Sequence, residues 1–188
     1  MKKLFLSIIT LIIGTILISG CLTVEKKEYK LKLTGPTSGK GSIKYINIVS
    51  QKDNENKDVS LKDFAELITD YYQGDKFEKE FPELKNVQKK LYVENDVLVA
   101  EVTFDFDSLS HFKIFQYDKD SPYMVLIKES FNSEEYAESN GEYNLNNLPV
   151  IFWKKNTKEF TWKTTVTSDV SKAVVLVQQF QNWEKTNK

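Results

Sequence analysis

Apolar and polar residues follow three rhythms along this chain, and each marks a different kind of element. Residues 4–18 form an uncharged run dominated by Leu and Ile, with neither a strand nor a helix period. From Glu28 to Thr34, Tyr29, Leu31 and Leu33 alternate with Glu28, Lys30 and Lys32, the period of a half-buried strand. The Gly- and Pro-containing stretch from Gly35 to Gly41 turns the chain, and Ser42 to Ser50 returns as a second strand with apolar residues on both faces, giving a hairpin. Gln51 to Asp58 is a polar surface loop. Ser60, with Asp63 three residues on, opens a helix whose inward stripe is Leu61, Phe64, Ala65, Ile68, Tyr71 and Tyr72, and Gly74 ends it.

Strands are expected again at Asn86 to Val93 and Val97 to Phe106, joined by a tight turn at Glu94-Asn95-Asp96. Phe112 to Tyr117 and Tyr123 to Lys128 extend this meander. Ser130 to Asn147 reads as a long polar loop with a helical turn near Glu134 to Ala137. Pro149 to Trp153 and Glu159 to Val166 form a hairpin with Trp153 opposite Phe160 and Ile151 opposite Trp162. In the tail from Ser168 to Lys185 the valines favour strand, whereas Ala173, Leu176, Val177, Phe180 and Trp183 have helical spacing; a helix is the expectation. The predicted class is α+β: an antiparallel, mainly meandering sheet of about 7–8 strands, packed by one central and one C-terminal helix.

The run at residues 4–18 follows Lys2 and Lys3 and precedes small residues, the layout of a secretory signal. The residues that close it, Ile18-Ser19-Gly20-Cys21, resemble the lipobox of bacterial lipoproteins: an apolar residue, two small residues and a cysteine. The resemblance covers the first 21 residues and uses the only cysteine of the chain. It implies cleavage between Gly20 and Cys21, removal of residues 1–20, and acylation of Cys21 as the mature N-terminus. The implied location is outside the cytoplasm, held to a membrane by lipid. Leu22 stands where Asp commonly retains such proteins in the inner membrane, which implies the outer membrane in a cell with two membranes and the outer face of the cell membrane otherwise. An uncleaved transmembrane helix over Leu4 to Val24 has sufficient length, at about 1.5 Å per residue. Lysines on both sides of the run leave its orientation open, but only the lipoprotein reading explains the lone cysteine. Residues 21–27 then read as a short tether of roughly 15 Å root-mean-square span, and residues 28–188 as a single globular domain.

Without residues 1–20 the chain keeps 168 of its 188 residues, enough for one well-packed domain. It keeps 24 of the 26 basic residues against 27 acidic ones, without the basic excess of a nucleic-acid binder. Every basic residue is lysine, so bidentate guanidinium recognition of phosphate or carboxylate has no donor. With Cys21 lipidated, no disulfide is available and stability rests on the core.

Candidate chemistry is sparse. Gly35 to Ser42 departs from a phosphate-binding loop in glycine spacing, in Gly41 at the Ser/Thr position, and in the strand that follows. His111 is the only histidine, so a triad or a His-based metal site would have to centre on it, with Asp105 and Asp107 nearby in sequence. Ser110-His111-Phe112-Lys113 matches Ser-x-x-Lys, and a hydrolase centred on Ser110, His111 and Lys113 is one alternative function. Asp118, Asp120 and Ser121, and the region from Asn54 to Asp58, offer oxygens but lack EF-hand spacing. Aromatics make up 13% of the chain, and Trp153, Phe160 and Trp162 are the candidates for a ligand-binding surface. The expected function is a lipid-anchored envelope lipoprotein acting as a non-enzymatic module. It would use no cofactor or metal, meet the membrane through Cys21, and bind a small ligand or an envelope protein through one sheet face. A purely structural envelope role is the other alternative.

Overall fold

A computed structural model describes residues 22–52, 55–127, 134–144 and 149–187. Met1 to Cys21, including the whole lipobox, lie outside the described residues.

The long first hairpin pairs β1 (Leu22–Leu33) with β2 (Gly39–Ser50) in a constant antiparallel register, interrupted between Val24↔Ile48 and Lys26↔Ile46. β1 starts six residues earlier than the alternation from Glu28 indicates. Leu22 and Val24 are buried against the core, so Leu22 to Lys27 form strand rather than tether. The apolar parity changes within the hairpin: Tyr29, Leu31 and Leu33 are buried on one half of β1, Leu22 and Val24 on the other. The change occurs where Glu25 faces Asn47, and Asn47 adopts φ 57. A left-handed residue breaks the pleat, and the strict alternation that a sequence reader follows stops there.

β3 (Lys85–Glu94) and β4 (Val97–Phe106) form the second hairpin. Its turn residues Asn95 and Asp96 have φ 50 and 62, as a two-residue primed turn requires. Together with β7 (Glu135–Ser139), β10 (Glu159–Thr165) and the short β11 (Val174–Val175) these strands make one seven-stranded antiparallel sheet. Its order is β3-β4-β2-β1-β10-β7, with β11 on the end of β2. β1 is therefore interior, flanked by β2 and β10.

Helix α1 (Ser60–Glu66) runs on as a π-helical turn, Leu67–Tyr72, with a Gln73 N–H bond to the Ile68 carbonyl at 2.8 Å. Phe64, Leu67 and Ile68 pack with Leu22, Val24, Ile48, Leu98, Leu176 and Phe180. Leu61 and Ala65, expected in the buried stripe, face solvent. The helix is turned by about one position because Ser60 and Asp63 are drawn inward: Ser50 Oγ donates to Asp63 Oδ2 at 2.6 Å, and Gln179 Nε2 reaches Ser60 Oγ at 3.5 Å. Asp58 Oδ1, rather than a Ser60 capping box, accepts the first helical N–H, that of Ser60, at 2.9 Å. A short α2 (Lys76–Glu80) follows, and α3 (Val177–Asn187) closes the chain. The helical spacing of the tail holds from Val177 onward, while Val174 and Val175 obey their β-branched preference as β11. The class is α+β, with a central and a C-terminal helix on a mainly antiparallel sheet. Among the described residues no helix is long and apolar enough to cross a membrane.

A second, four-stranded sheet in the order β5-β6-β9-β8 covers the other half of the large one. It contains β5 (Phe115–Gln116), β6 (Tyr123–Leu126), β8 (Glu142–Asn144) and β9 (Val150–Trp153). Residues 112–127 therefore do not extend the first meander, Lys128 lies outside the described residues, and Glu135 to Ala137 are part of strand β7 instead of a helical turn. β9 and β10 are not a hairpin either. β9 pairs with β6 and β8, while β10 crosses to the large sheet, because β1 offers it a seven-residue partner. Trp153 and Phe160 still meet, as an edge-to-face pair with centroids 5.3 Å apart across the interface between the sheets.

Candidate functional site

Two regions of this fold assemble groups from distant parts of the sequence. The first is buried. On β1, Lys27 stands opposite Tyr45 of β2 and Thr164 of β10, and Tyr29 stands opposite Trp162. The Tyr29 and Trp162 rings stack at 4.6 Å with 7° between planes. The carboxylate of Glu134, just before β7, is 6% exposed and sits over these pairs. It accepts from Lys27 Nζ at 2.6 Å, from Thr164 Oγ1 at 2.5 Å, and from Tyr29 Oη at 3.0 and 3.1 Å. Burial, then the charge of Glu134, pushes the Tyr29 phenol well above its ordinary range, so it remains a donor. Burial first, then Glu134 and Glu80, pushes up Tyr45 as well. A carboxylate with this many donors is saturated. Its chemistry is to clamp β1 and β10 to the segment that enters β7.

The signal for this cluster was faint. Lys27 and Thr164 are polar residues on the inward parity of their strands, beside Tyr29 and Leu31 and beside Phe160 and Trp162. Glu134 itself looks no different in sequence from its exposed neighbours Glu135 and Glu138.

The second region is the end of the sheet where β1 begins. Ser50 is its junction: it pairs with Leu22 on one side and Val174 on the other, and its hydroxyl holds Asp63. Leu61, two residues before Asp63 in α1, and Val175, the partner of Val49, are exposed at 77% and 57%. A shallow open depression of about 410 Å³ lies beside the start of α1, lined by Asp58, Val59, Ser60, Leu61 and Lys62. A second, of about 270 Å³, lies over β1, β7 and β10 among Glu28, Lys30, Glu138, Asn140 and Lys163.

The residues singled out in sequence are dispersed by the fold. Ser110 and His111 lie in a 3-10 turn, Leu109–Phe112, and Lys113 follows at φ 57. Ser110 Oγ is 2.7 Å from Ser108 Oγ, whereas His111 Nε2 is 2.6 Å from Asp107 Oδ1. Lys113 points to solvent, and neither depression is lined by the three. His111, then Lys85, holds the Asp107 carboxyl below its usual value. Asp105 turns away to Lys40 Nζ at 2.7 Å and Asn86 Nδ2 at 2.6 Å. Asp118 Oδ1 accepts the N–H groups of Asp120 and Ser121 and the Ser121 hydroxyl, an Asx turn that occupies the oxygen a cation would need. No group of three or more His, Cys, Asp or Glu that could hold a metal occurs among the described residues.

Trp153, Phe160 and Trp162, the candidate ligand surface, are 3%, 0% and 1% exposed. They are the core between the two sheets, joined by Leu31, Val125 and Ile151. Asn140 fixes them there, accepting from Trp153 Nε1 at 2.7 Å and from the Thr161 N–H at 3.0 Å. Their rings pack on one another and on aliphatic side chains; of the three, Trp162 also lines the depression over β1, β7 and β10. Compared with protein-family models, with curated proteins and with solved structures, this chain has no match.

Proposed function

We propose that this protein is a bacterial envelope lipoprotein, acylated on Cys21, whose folded part is a non-enzymatic interaction module held at the outer side of a membrane. The observation that carries the reading is Ile18-Ser19-Gly20-Cys21, placed after a Lys-led apolar run and using the only cysteine of the chain. Cleavage before Cys21 would leave all of β1, Leu22–Leu33, in the mature chain. Several acyl chains on one cysteine hold a protein stably, whereas a single chain does so only marginally. With Trp153 and Phe160 enclosed, the surface that supports an envelope partner is the polar depression over β1, β7 and β10, which Trp162 helps to line.

Mass spectrometry of the mature N-terminus from bacterially expressed full chain tests the anchor. A peptide beginning at an acylated Cys21 is the expected result, and an unmodified peptide beginning at Met1 would overturn it. Cys21→Ala should accumulate as uncleaved precursor and lose its lipid mass.

A further inference from the structure

The large sheet ends in two edge strands, and they are not alike. β7 is five residues long, its register with β10 shifts between Lys163 and Thr164, and two residues later the chain enters β8 of the small sheet. A short, bulged edge is poorly shaped to receive another strand. β3 is ten residues long, pairs with β4 alone among the described residues, and runs without irregularity from Gln88 to Glu94. Lysines commonly guard such an edge, but Lys89 is turned under the sheet, with its Nζ 2.6 Å from the Gly74 carbonyl and 2.6 Å from Glu78 Oε2. Lys90, the other lysine of this stretch, is exposed on the outer face with Gln88 and Glu94.

The turn at Asn95-Asp96 decides which backbone groups of β3 are free. In a two-residue hairpin the residues flanking the turn exchange both hydrogen bonds, here Glu94 with Val97, and the pattern alternates from there. Tyr92, Lys90 and Gln88 therefore bond to β4, whereas the N–H and C=O groups of Lys89, Leu91 and Val93 point away from it. Against a second β3 running antiparallel, inward residues must meet inward ones, so odd-numbered residues pair with odd-numbered ones. A two-fold axis at Lys90 would set two ammonium groups face to face. An axis at Leu91 would oppose Lys90 to Tyr92 and Glu94 to Gln88. An axis at Tyr92 opposes Lys90 to Glu94 on both sides, sets Leu91 against Val93 on the core side, and joins the free backbone groups of those two residues across the axis. Glu94 takes Lys44 Nζ through Oε2 at 2.6 Å, and a carboxylate has lone pairs for a second cation through Oε1.

We propose that β3 is a self-association edge: two copies of this chain pair antiparallel through β3 about a two-fold axis at Tyr92, joining their seven-stranded sheets into one. The occupant is a second copy because the edge complements itself in charge, in backbone pattern and in the apolar residues beneath it. An isologous contact uses up the edge, so assembly closes at two copies. The proposal does not depend on lipidation of Cys21.

The test uses the full chain carrying Cys21→Ser, in a mild detergent, so that an introduced cysteine is the only thiol. Tyr92→Cys is compared with Thr161→Cys, on β10 and the same outer face. Directly opposed residues that share no backbone hydrogen bond have Cα atoms about 4.5 Å apart, within disulfide reach, so oxidation should link Tyr92→Cys into dimers at least about tenfold faster than Thr161→Cys. Sedimentation equilibrium of the chain without an added cysteine should show a monomer–dimer equilibrium. Lys90→Glu, which sets like charges opposite one another on both sides of the axis, should raise its dissociation constant at least about tenfold. Circular dichroism of each variant matching the parent chain confirms the fold. A parent chain that sediments only as monomer, equal linking rates at positions 92 and 161, or a dimer indifferent to Lys90→Glu would each overturn the pairing.

Discussion

The carboxylate of Glu134 is the most consequential single group in the described structure, and Glu134→Ala is the perturbation that measures it. Glu134 is 6% exposed and Lys27 is 13% exposed at the side chain, so neither charge is well solvated. Removing the carboxylate takes away the acceptor shared by the Lys27 ammonium, Tyr29 Oη and Thr164 Oγ1. Each buried group left unsatisfied costs about 1–3 kcal/mol, and breaking a buried ion pair from one side costs about 3–5 kcal/mol. These overlap, because Lys27 has some access to water through its partial exposure. The net loss should be about 3–5 kcal/mol, and for a domain of this size that lowers the melting temperature by about 6–20 °C.

Urea unfolding of the folded domain, followed by far-ultraviolet circular dichroism and tryptophan emission, reads this as a lower midpoint at unchanged slope. Lys27→Met should cost less than Glu134→Ala, since two hydroxyl donors stay on the carboxylate. The double variant Lys27→Met with Glu134→Leu should cost less than the sum of the single changes by about 1–3 kcal/mol, because no lone charge is left behind. A loss below about 1 kcal/mol for Glu134→Ala, or simple additivity in the cycle, would refute the clamp between β1, β10 and β7.

Other predictions follow from the same geometry. Asn47 holds φ 57 and donates to Glu25 Oε2 at 2.7 Å; Asn47→Gly should lose about 1 kcal/mol, from the hydrogen bond, and Asn47→Val about 2 kcal/mol or more, from forcing a branched side chain into the left-handed region. Calorimetric melting of the two variants gives the order. Gly41 faces Leu31 and Phe104, where an added Cβ would come within 2.7 Å of the first and 2.5 Å of the second; Gly41→Ala should therefore lower the urea midpoint although alanine is a permissible strand residue. Asp105 is held below its ordinary value by hydrogen bonds from Lys40 and then Asn86. A depressed carboxyl adds stability above its unfolded value and loses it as the pH falls through the folded one, so wild-type stability should decline below about pH 4. Asp105→Asn should flatten that decline, and so should high salt, since the pair is exposed. Urea midpoints between pH 2 and pH 6 compare the two.

The strands were legible wherever burial and alternation coincide. Val97 to Phe106 reads correctly because the primed turn at Asn95-Asp96 fixes its register and its even-numbered residues keep one parity, Leu98 in one core cluster and Val102, Phe104 and Phe106 in the other. Leu22 to Lys27 does not, because the left-handed Asn47 opposite Glu25 reverses which parity is buried, and a reader extending the pattern of Tyr29, Leu31 and Leu33 backwards finds charged residues at the inward positions. The same difficulty hides the clamp. Lys27 is an inward lysine, acceptable only because Glu134 arrives from 107 positions away, and no local rule supplies that partner. Trp153 and Phe160 meet, but across two packed sheets rather than within a hairpin, and both arrangements leave the same apolar spacing in the sequence. Leu61 was placed on the buried stripe by its period, and the contact that turned it outward, Ser50 to Asp63, joins two polar side chains that hydrophobicity cannot rank.

The position of β1 inside the sheet has a mechanical consequence. A strand at the edge of a sheet is held by one ladder and can be peeled from its end, one pair at a time. β1 is held by two, with β2 along its whole length and with β10 from Lys26 to Lys32, and its middle is clamped through Lys27 and Tyr29 to Glu134. Force applied at Leu22 along the strand acts on both ladders in shear, and separation requires many hydrogen bonds to fail together. If Cys21 carries the proposed anchor, domain stability and attachment are coupled through one strand. The Glu134 variants that weaken the fold should also loosen the pairing of Leu22 with Ser50, which hydrogen exchange at Thr23 and Val24 would register as faster exchange in Glu134→Ala than in wild type. Exchange at those amides that is unchanged while global stability falls would separate the two halves of β1 into independent units, divided at Glu25 and Asn47.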